Sequence, residues 1–152
     1  MTKDYLYNLE VKPLNFEQLN EGWNAEPNVP DVLISVVEQD VIVQFYLNIF
    51  AFPVFSENDT AKITFHKCLK YRLGPPNNEG FYIFGQSRFK KYGVKWGEFY
   101  RINDSDWQEY FPDAIVVSNQ RTENLQHFLF YFRDNTFECI AGSYTLEFKR
   151  ME

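Results

Sequence analysis

The chain of 152 residues contains only two cysteines, two histidines, seven glycines and seven prolines. Cys68 and Cys139 are separated by 70 residues, which does not resemble the closely spaced cysteines of a small disulfide-stabilised domain. We expect two free thiols that pack like small hydrophobic side chains. The modest glycine and proline content, together with 45% hydrophobic residues, excludes collagen-like, low-complexity and disordered classes.

Long apolar segments and targeting signals are also missing. The longest uncharged stretch, 41–56, includes Gln44, Asn48 and Pro53. It is shorter than the about 20 apolar residues that a membrane-spanning helix needs. The first residues show no basic run that leads into an apolar stretch, as a secretory signal would. We therefore expect a cytoplasmic protein with no membrane segment.

Sequence signatures of catalysis are scarce. No phosphate-binding glycine loop and no Gly-x-Ser-x-Gly motif occurs. His66 and Cys68 stand two residues apart, so they share one face of a predicted strand and would form a thiol–imidazole pair. Together with His127 and Cys139 they also offer four possible zinc ligands, although only the first two are closely spaced. We expect neither metal nor cofactor, and an enzyme that uses His66/Cys68 or Glu98 is our second alternative.

Aromatic residues, by contrast, are abundant: 16 Phe, 10 Tyr and 3 Trp make up 19% of the chain. Aromatic side chains favour the half-buried surface of a β-strand. In 41–49 and in 62–72, successive side chains alternate with the period of two that is typical of a strand with one face in the core. The same pattern predicts further strands at 5–11, 32–38, 81–84, 94–102, 115–118, 126–133, 136–141 and 143–148.

Helix signals are few and short. Residues 14–19 and the segment that begins at Ser105 and ends before Pro112 could each form at most a short helix. No linker or repeat divides the chain. We therefore predict one mainly β domain over residues 1–152, an antiparallel barrel or sandwich with one or two short helices. An α+β roll is the alternative fold.

Charge is unevenly distributed along the chain, whose net charge is −6. Residues 1–61 hold two basic and ten acidic side chains, residues 62–101 hold nine and two, and residues 102–152 hold four and nine. Basic groups between aromatic rings suit single-stranded nucleic acid. Nucleic-acid modules are usually basic as whole domains, however, so we expect the basic central third to pair with acidic strands instead.

Two segments carry more specific signals than an ordinary strand or loop. Residues 22–30 combine Trp23 with turn residues and two prolines, which predicts either a rigid plug for the fold or a recognition loop anchored by the indole. In 92–101 two glycines indicate a bulge, and alternation places a single acid among aromatic side chains on one face. The candidate binding residues are Trp23, Arg72, Arg88, Trp96, Glu98, Tyr100 and Arg101.

The sequence is best interpreted as a non-catalytic binding module that recognises another protein, and its acidity suits a partner with a basic surface. The first alternative is a β-barrel that holds a small apolar or anionic ligand among aromatic rings, with Arg72, Arg88 or Arg101 as the charge partner. The sequence does not specify an oligomeric state.

Four acids, Glu26, Glu79, Glu98 and Glu138, stand among apolar or Gly/Pro neighbours, but nothing in the sequence brings two of them together.

Overall fold

The structure, a computed structural model, describes residues 15–77, 93–103, 114–119 and 124–151. All regular secondary structure in these ranges is β. The ten strands are β1 (Asn15–Gln18), β2 (Leu33–Val37), β3 (Asp40–Tyr46), β4 (Thr60–His66), β5 (Lys70–Gly74), β6 (Phe99–Asn103), β7 (Ile115–Val116), β8 (Gln126–Tyr131), β9 (Thr136–Ala141) and β10 (Ser143–Lys149).

The strands form two antiparallel sheets that pack face to face. The six-stranded sheet has the order β1-β6-β8-β9-β5-β7, and the four-stranded sheet has the order β10-β4-β3-β2. The mainly β prediction is confirmed, and the arrangement is that of a sandwich, since the sheets do not close into a barrel. The barrel architecture that the ligand-binding alternative assumes is therefore wrong. Within the described ranges, no helical segment has the length and apolar character of a membrane span.

The first described strand corrects a helix prediction. Residues 15–18, which fall within the predicted helix 14–19, form β1 instead and pair with β6, with Phe16 opposite Ile102. A helix of six residues is marginal by itself, so pairing with an existing strand outweighs local preference. The predicted helix that starts at Ser105 and the predicted strands 5–11 and 81–84 lie outside the described residues.

A second correction concerns 62–72, which the alternation pattern predicts as one strand. The structure divides it at Lys67, whose φ of 52° ends β4 and turns the chain. The backbone amide of Cys68 donates to Gln39 O at 2.7 Å, and that of Leu69 donates to Ile140 O at 2.7 Å. The chain therefore crosses here from the four-stranded to the six-stranded sheet. A lysine in the left-handed conformation leaves no signal in the hydrophobic pattern.

Aromatic rings form most of the core between the sheets. The side chains of Phe45 and Phe65 project from the four-stranded sheet and pack against aromatic rings of the other sheet. Phe130 and Phe132 lie parallel, with centroids 4.3 Å apart and an interplanar angle of 3°. The Phe45 ring meets both of them edge-on at 5.1 Å. The rings that are less than 2% exposed are Tyr100, Tyr131, Phe45, Phe65, Phe99, Phe128, Phe130, Phe132 and Phe137.

Trp23 belongs to this core. Its side chain is 5% exposed, and Asn20 Nδ2 donates to its carbonyl at 2.8 Å. The bridge between Ala25 and Leu47 holds the same loop against the end of β3. This is the position that a structural plug requires. The indole packs, at centroid distances of 6.0–6.4 Å, on Phe45, Phe99, Phe130 and Phe148.

The six-stranded sheet is also covered on the side that faces away from the sandwich core. Every residue of β9 is buried, and so is every residue of β8 after Gln126. A second apolar cluster covers this side near β6. It consists of Val94, Tyr100, Ile102, Leu129 and Tyr131, with Phe16 and Trp96 packed against it.

Replacement of the buried indole tests the plug. We expect Trp23→Ala to lower the free energy of unfolding by about 3–5 kcal/mol, because it leaves a cavity among four rings. The matched control is Phe50→Ala, which removes a ring that is 75% exposed and should change stability by no more than about 0.5 kcal/mol. Chemical denaturation of both variants is the measurement. Equal stability losses would contradict the assignment.

Candidate functional site

Where the sequence predicts a pocket beside Trp96, the structure has a cluster of packed side chains, and Glu98 is not one of them. Trp96 lies on Tyr131, with centroids 5.0 Å apart, and the Tyr100 hydroxyl accepts a hydrogen bond from the amide of Lys95 at 2.7 Å. Glu98 does not join these rings, contrary to the alternation prediction. The reason is that Gly97 has a φ of 89° and the strand begins only at residue 99.

The carboxylate of Glu98 accepts hydrogen bonds from three side-chain amides. Gln18 Nε2 donates at 3.1 Å, Asn24 Nδ2 donates at 3.2 Å, and Asn20 Nδ2 makes the third bond. Asn20 is buried, and its Oδ1 accepts from the amide of Phe99 at 3.0 Å. Glu98 therefore ties the Trp23 loop to β1 and β6.

Arg72 is buried in a network of charged groups on the side of the six-stranded sheet that faces away from the sandwich core. Its Nη1 lies 3.5 Å from Glu138 Oε1, and its Nη2 donates to the carbonyl of Pro75 at 2.8 Å. The other carboxylate oxygen of Glu138 lies 3.1 Å from Nε2 of His127. All three side chains are at most 6% exposed. The guanidinium charge is thus balanced by an internal acid.

The predicted arginines do not converge on one site. Arg101 contacts Gln126 at 3.0 Å and pairs with Glu17. Arg72 and Arg101 lie in strands that are three strand spacings, or about 14 Å, apart. The registers place them on opposite faces of the sheet, since Arg101 is opposite Phe128 and Arg72 is opposite Glu138. Arg88 lies outside the described residues.

His66 and Cys68 do not form the predicted pair, and the expectation that they share a strand face is wrong. The turn at Lys67 directs Cys68 into the core, whereas His66 stays on the outer face of the four-stranded sheet. There its Nδ1 lies 3.4 Å from Asp40 Oδ2 and its Nε2 lies 3.0 Å from Thr145 Oγ1. This hydroxyl–imidazole–carboxylate order occurs in hydrolases, but those triads work in clefts that exclude water and supply oxyanion donors. On an exposed sheet face the trio links three neighbouring strands.

The two thiols are buried neighbours. Both are free and 0% exposed, as the sequence predicts. Burial raises the pKa of Cys139 well above the ordinary thiol value of 9.0, and the adjacent Cys68 thiol and Glu138 raise it further. A reactive cysteine needs the opposite, a lowered pKa. Among the residues that the structure describes, no three His, Cys, Asp or Glu side chains are grouped as a metal ion would require.

Asp59 joins the loop after β3 to the end of the chain. Its carboxylate accepts from the backbone amides of Ser56 and Met151, both at 2.8 Å, and Arg150 lies 3.4 Å away. These hydrogen bonds, that of Ser56 above all, hold the pKa of Asp59 below its usual 3.8. The acid therefore has a structural role.

The most unusual surface feature is β2, the edge strand of the four-stranded sheet. Four of its five residues are apolar and none is charged. Leu33, Val36 and Val37 are 60%, 47% and 56% exposed. Within the described ranges, β2 pairs with β3 and no strand covers its other edge. Proteins normally protect such edges with charges, prolines or bulges, so an apolar open edge requires an explanation. We call the residues 33–37 the edge surface.

An open cleft adjoins the edge surface on the outer side of the sheet. Its volume is ≈ 480 Å³, and Leu33, Asp31 and Gln44 are among the residues that line it. Lys149, from the opposite edge strand of the sheet, also reaches it. The complete lining is Asp31, Leu33, Gln44, Phe45, Tyr46, Asn58, Thr60, Lys149 and Met151.

Comparisons with protein-family models, with curated proteins and with solved structures find no match to this chain. The site must therefore be interpreted from its own chemistry. The edge surface was not among the residues predicted to bind, although its signal is present in the sequence. Residues 32–37 are six consecutive uncharged residues, five of them apolar, directly before the acidic turn residue Glu38.

The buried charges allow a first test. Glu138→Gln removes the internal counter-charge of Arg72, and we expect a loss of about 3–5 kcal/mol in the free energy of unfolding. Glu147→Gln is the control, because its pair with Lys62 spans 4.0 Å at the surface and should contribute less than about 1 kcal/mol.

The double variant Arg72→Met/Glu138→Gln separates charge from packing. If the unpaired guanidinium causes the loss, the double variant is more stable than Glu138→Gln alone. Denaturant titrations of all three variants measure this. A double variant that is less stable than the single one contradicts the electrostatic explanation.

Asp59 allows a test by pH. Because its native pKa is lowered, its contacts contribute stability above about pH 3.8 and lose that contribution as the pH falls through the native pKa. We expect Asp59→Asn to be less stable than the wild type at neutral pH, with the difference shrinking below about pH 3.8. Thermal unfolding across pH measures it, with the exposed Glu57→Gln as control. A difference that does not depend on pH contradicts the prediction.

Proposed function

We propose that this chain is a protein-recognition module and that the edge surface is where it binds its partner. The observation that carries the proposal is the exposure of Leu33, Val36 and Val37 on a strand with one unpaired edge in the described part of the chain. Contiguous exposed apolar groups on a folded domain are typical of interaction sites.

The other candidate groups support this choice because the fold already uses them. The carboxylate of Glu98 is bound by three amides, the guanidinium of Arg72 is paired with Glu138, and Trp23 lies in the core. Substitution at these positions would act first on stability. Binding free energy must come from groups that lose contact with water when a partner arrives, and Leu33, Val36 and Val37 of the edge surface are 47–60% exposed.

The acidic charge of the sequence around β2 favours a basic partner. Residues 13–61 contain eight acidic residues and no lysine or arginine, and β2 lies in the middle of this stretch. A partner with a basic surface would be attracted to this region at long range and would be discriminated from acidic proteins. The module is therefore proposed to recognise a basic protein.

Photo-crosslinking in the cells that make the protein tests the proposal. A photoreactive phenylalanine analogue replaces Val37 in one variant and Val116 in another. Val116 is the matched control, since it is 63% exposed and lies on the short strand β7 at an edge of the other sheet. We expect a discrete adduct with one other protein from position 37 only, identified by mass spectrometry. No adduct from position 37, or equal adducts from both positions, would overturn the proposal.

A further inference from the structure

The edge of β2 that no described strand covers, called the free edge below, has the geometry that accepts another strand. The turn at 38–39, with Glu38 at a φ of 56°, joins β2 to β3 and places Val37 opposite Asp40. The pair that closes such a turn is hydrogen-bonded, and bonded pairs then alternate with non-bonded ones along an antiparallel hairpin. The backbone groups of Ile34 and Val36 therefore point away from β3, toward the free edge.

The length of β2 also distinguishes it from the other exposed edge of comparable apolar character. Its five residues span about 17 Å, enough for several main-chain hydrogen bonds to an added strand. The two residues of β7 span less than half of that distance. Added strands gain affinity from main-chain bonds and specificity from alternate side chains. Leu33 and Val37 offer such contacts on the outer face, and Val36 offers one on the inner face.

Charge at the two ends of β2 indicates what the added strand carries. Asp31 and Glu38 are exposed on either side of the strand, and neither forms an ion pair within the ranges that the structure describes. In an antiparallel pair of two copies centred on Ser35, Asp31 of one copy would approach Glu38 of the other, so identical chains repel at both ends. Lysine or arginine at the ends of the incoming segment would be attracted instead.

Resting on the proposed function above, we propose that the partner docks as an extra β-strand along the free edge of β2. The docking segment is an extended stretch of a basic protein in which apolar side chains alternate and lysine or arginine stands at both ends. Its backbone bonds to Ile34 and Val36. Its apolar side chains cover Leu33, Val36 and Val37.

Peptide display provides the test. A library of random peptides about ten residues long, enough to span β2 and both acids, is selected on the full chain. We expect enriched peptides with alternating apolar residues and basic ends, and we expect their affinity to fall as salt rises. The absence of enriched peptides, or enrichment of acidic or non-alternating ones, would overturn the proposal.

Two variants of Val36 separate backbone pairing from surface hydrophobicity. Val36→Pro removes the outward N–H without removing a bond to β3, and proline is tolerated on edge strands. We expect it to weaken binding of the selected peptides by about tenfold or more. Val36→Thr keeps both the donor and the β-branched shape, so it should bind within about threefold of wild type. Equal affinities for the two variants contradict strand addition, provided that their unfolding curves agree with that of the wild type.

A charge variant tests the ends of the segment. Asp31→Asn/Glu38→Lys changes only exposed positions, and asparagine tolerates the φ of 51° at residue 31. Selection on this variant should yield peptides that have lost their basic ends or gained an acidic one. Unchanged basic ends would mean that these acids do not recruit the partner.

Different results would identify a second copy as the occupant of the edge, contradict strand addition, or contradict recognition itself. If sedimentation shows a wild-type dimer that Val36→Pro converts to a monomer, the occupant is a second copy and the basic partner is wrong. If position 37 crosslinks a partner in cells while Val36→Pro leaves peptide affinity unchanged, the result supports protein recognition at the edge surface and contradicts strand addition. If position 37 yields no adduct, the recognition proposal itself falls.

Discussion

The interdigitation of aromatic rings between the two sheets is the interaction on which the rest of the structure depends. Rings of β3 and β4 stand against rings of β6, β8 and β9, and the Trp23 indole fills the remaining space. Such close packing fixes the relative position of the sheets, because flat rings tolerate few arrangements. The loop around Trp23 and the amide cluster at Glu98 are thereby held in place, as is the register that leaves β2 at an edge.

The outward faces of the two sheets differ in how far they are buried. The six-stranded sheet buries both faces at β8 and β9, and the charged pair of Arg72 and Glu138 is enclosed there beside the His127 ring. The outer face of the four-stranded sheet is mostly polar at β3, β4 and β10, and its residues there are partly or fully exposed. The buried Arg72 of the first sheet is thus paired with Glu138, whereas the second sheet ends in an apolar edge whose flanking acids, Asp31 and Glu38, have no ion pair within the described residues. Of the exposed apolar edge strands described, β2 and β7, the longer belongs to the four-stranded sheet.

The alternation pattern was sufficient to predict a mainly β fold, and nine of the ten described strands overlap predicted ones. It failed where backbone conformation changes without a change in hydrophobicity. Lys67 ends a strand inside an unbroken alternating run, and the positive φ of Gly97 lies in a non-strand segment, so that β6 starts only at Phe99 within the predicted strand 94–102. Residues 15–18 form a strand only because β6 is present to pair with them. Long-range pairing of this kind is not encoded in local preference.

Single residues of the site were harder to predict than the fold. Glu98 was singled out from the sequence as an acid among aromatic residues, but its amide partners lie 74–80 positions earlier in the chain. Glu138 and Arg72 meet only because β5 is the neighbour of β9, and strand order cannot be deduced from alternation. The edge surface was overlooked for a related reason. Its five residues read as an ordinary strand, and only the sheet order shows that one side has no described neighbour.

The open edge of β2 has a consequence for how much of this protein a cell can hold. An uncharged, β-branched segment with one free side is a template on which further chains can stack into fibrils, and the danger grows with concentration. The acids at its ends then act as gatekeepers, since each added copy would accumulate like charge. Chains whose β2 edge is uncovered would depend on that repulsion to resist stacking, and it would matter most where the protein is most concentrated.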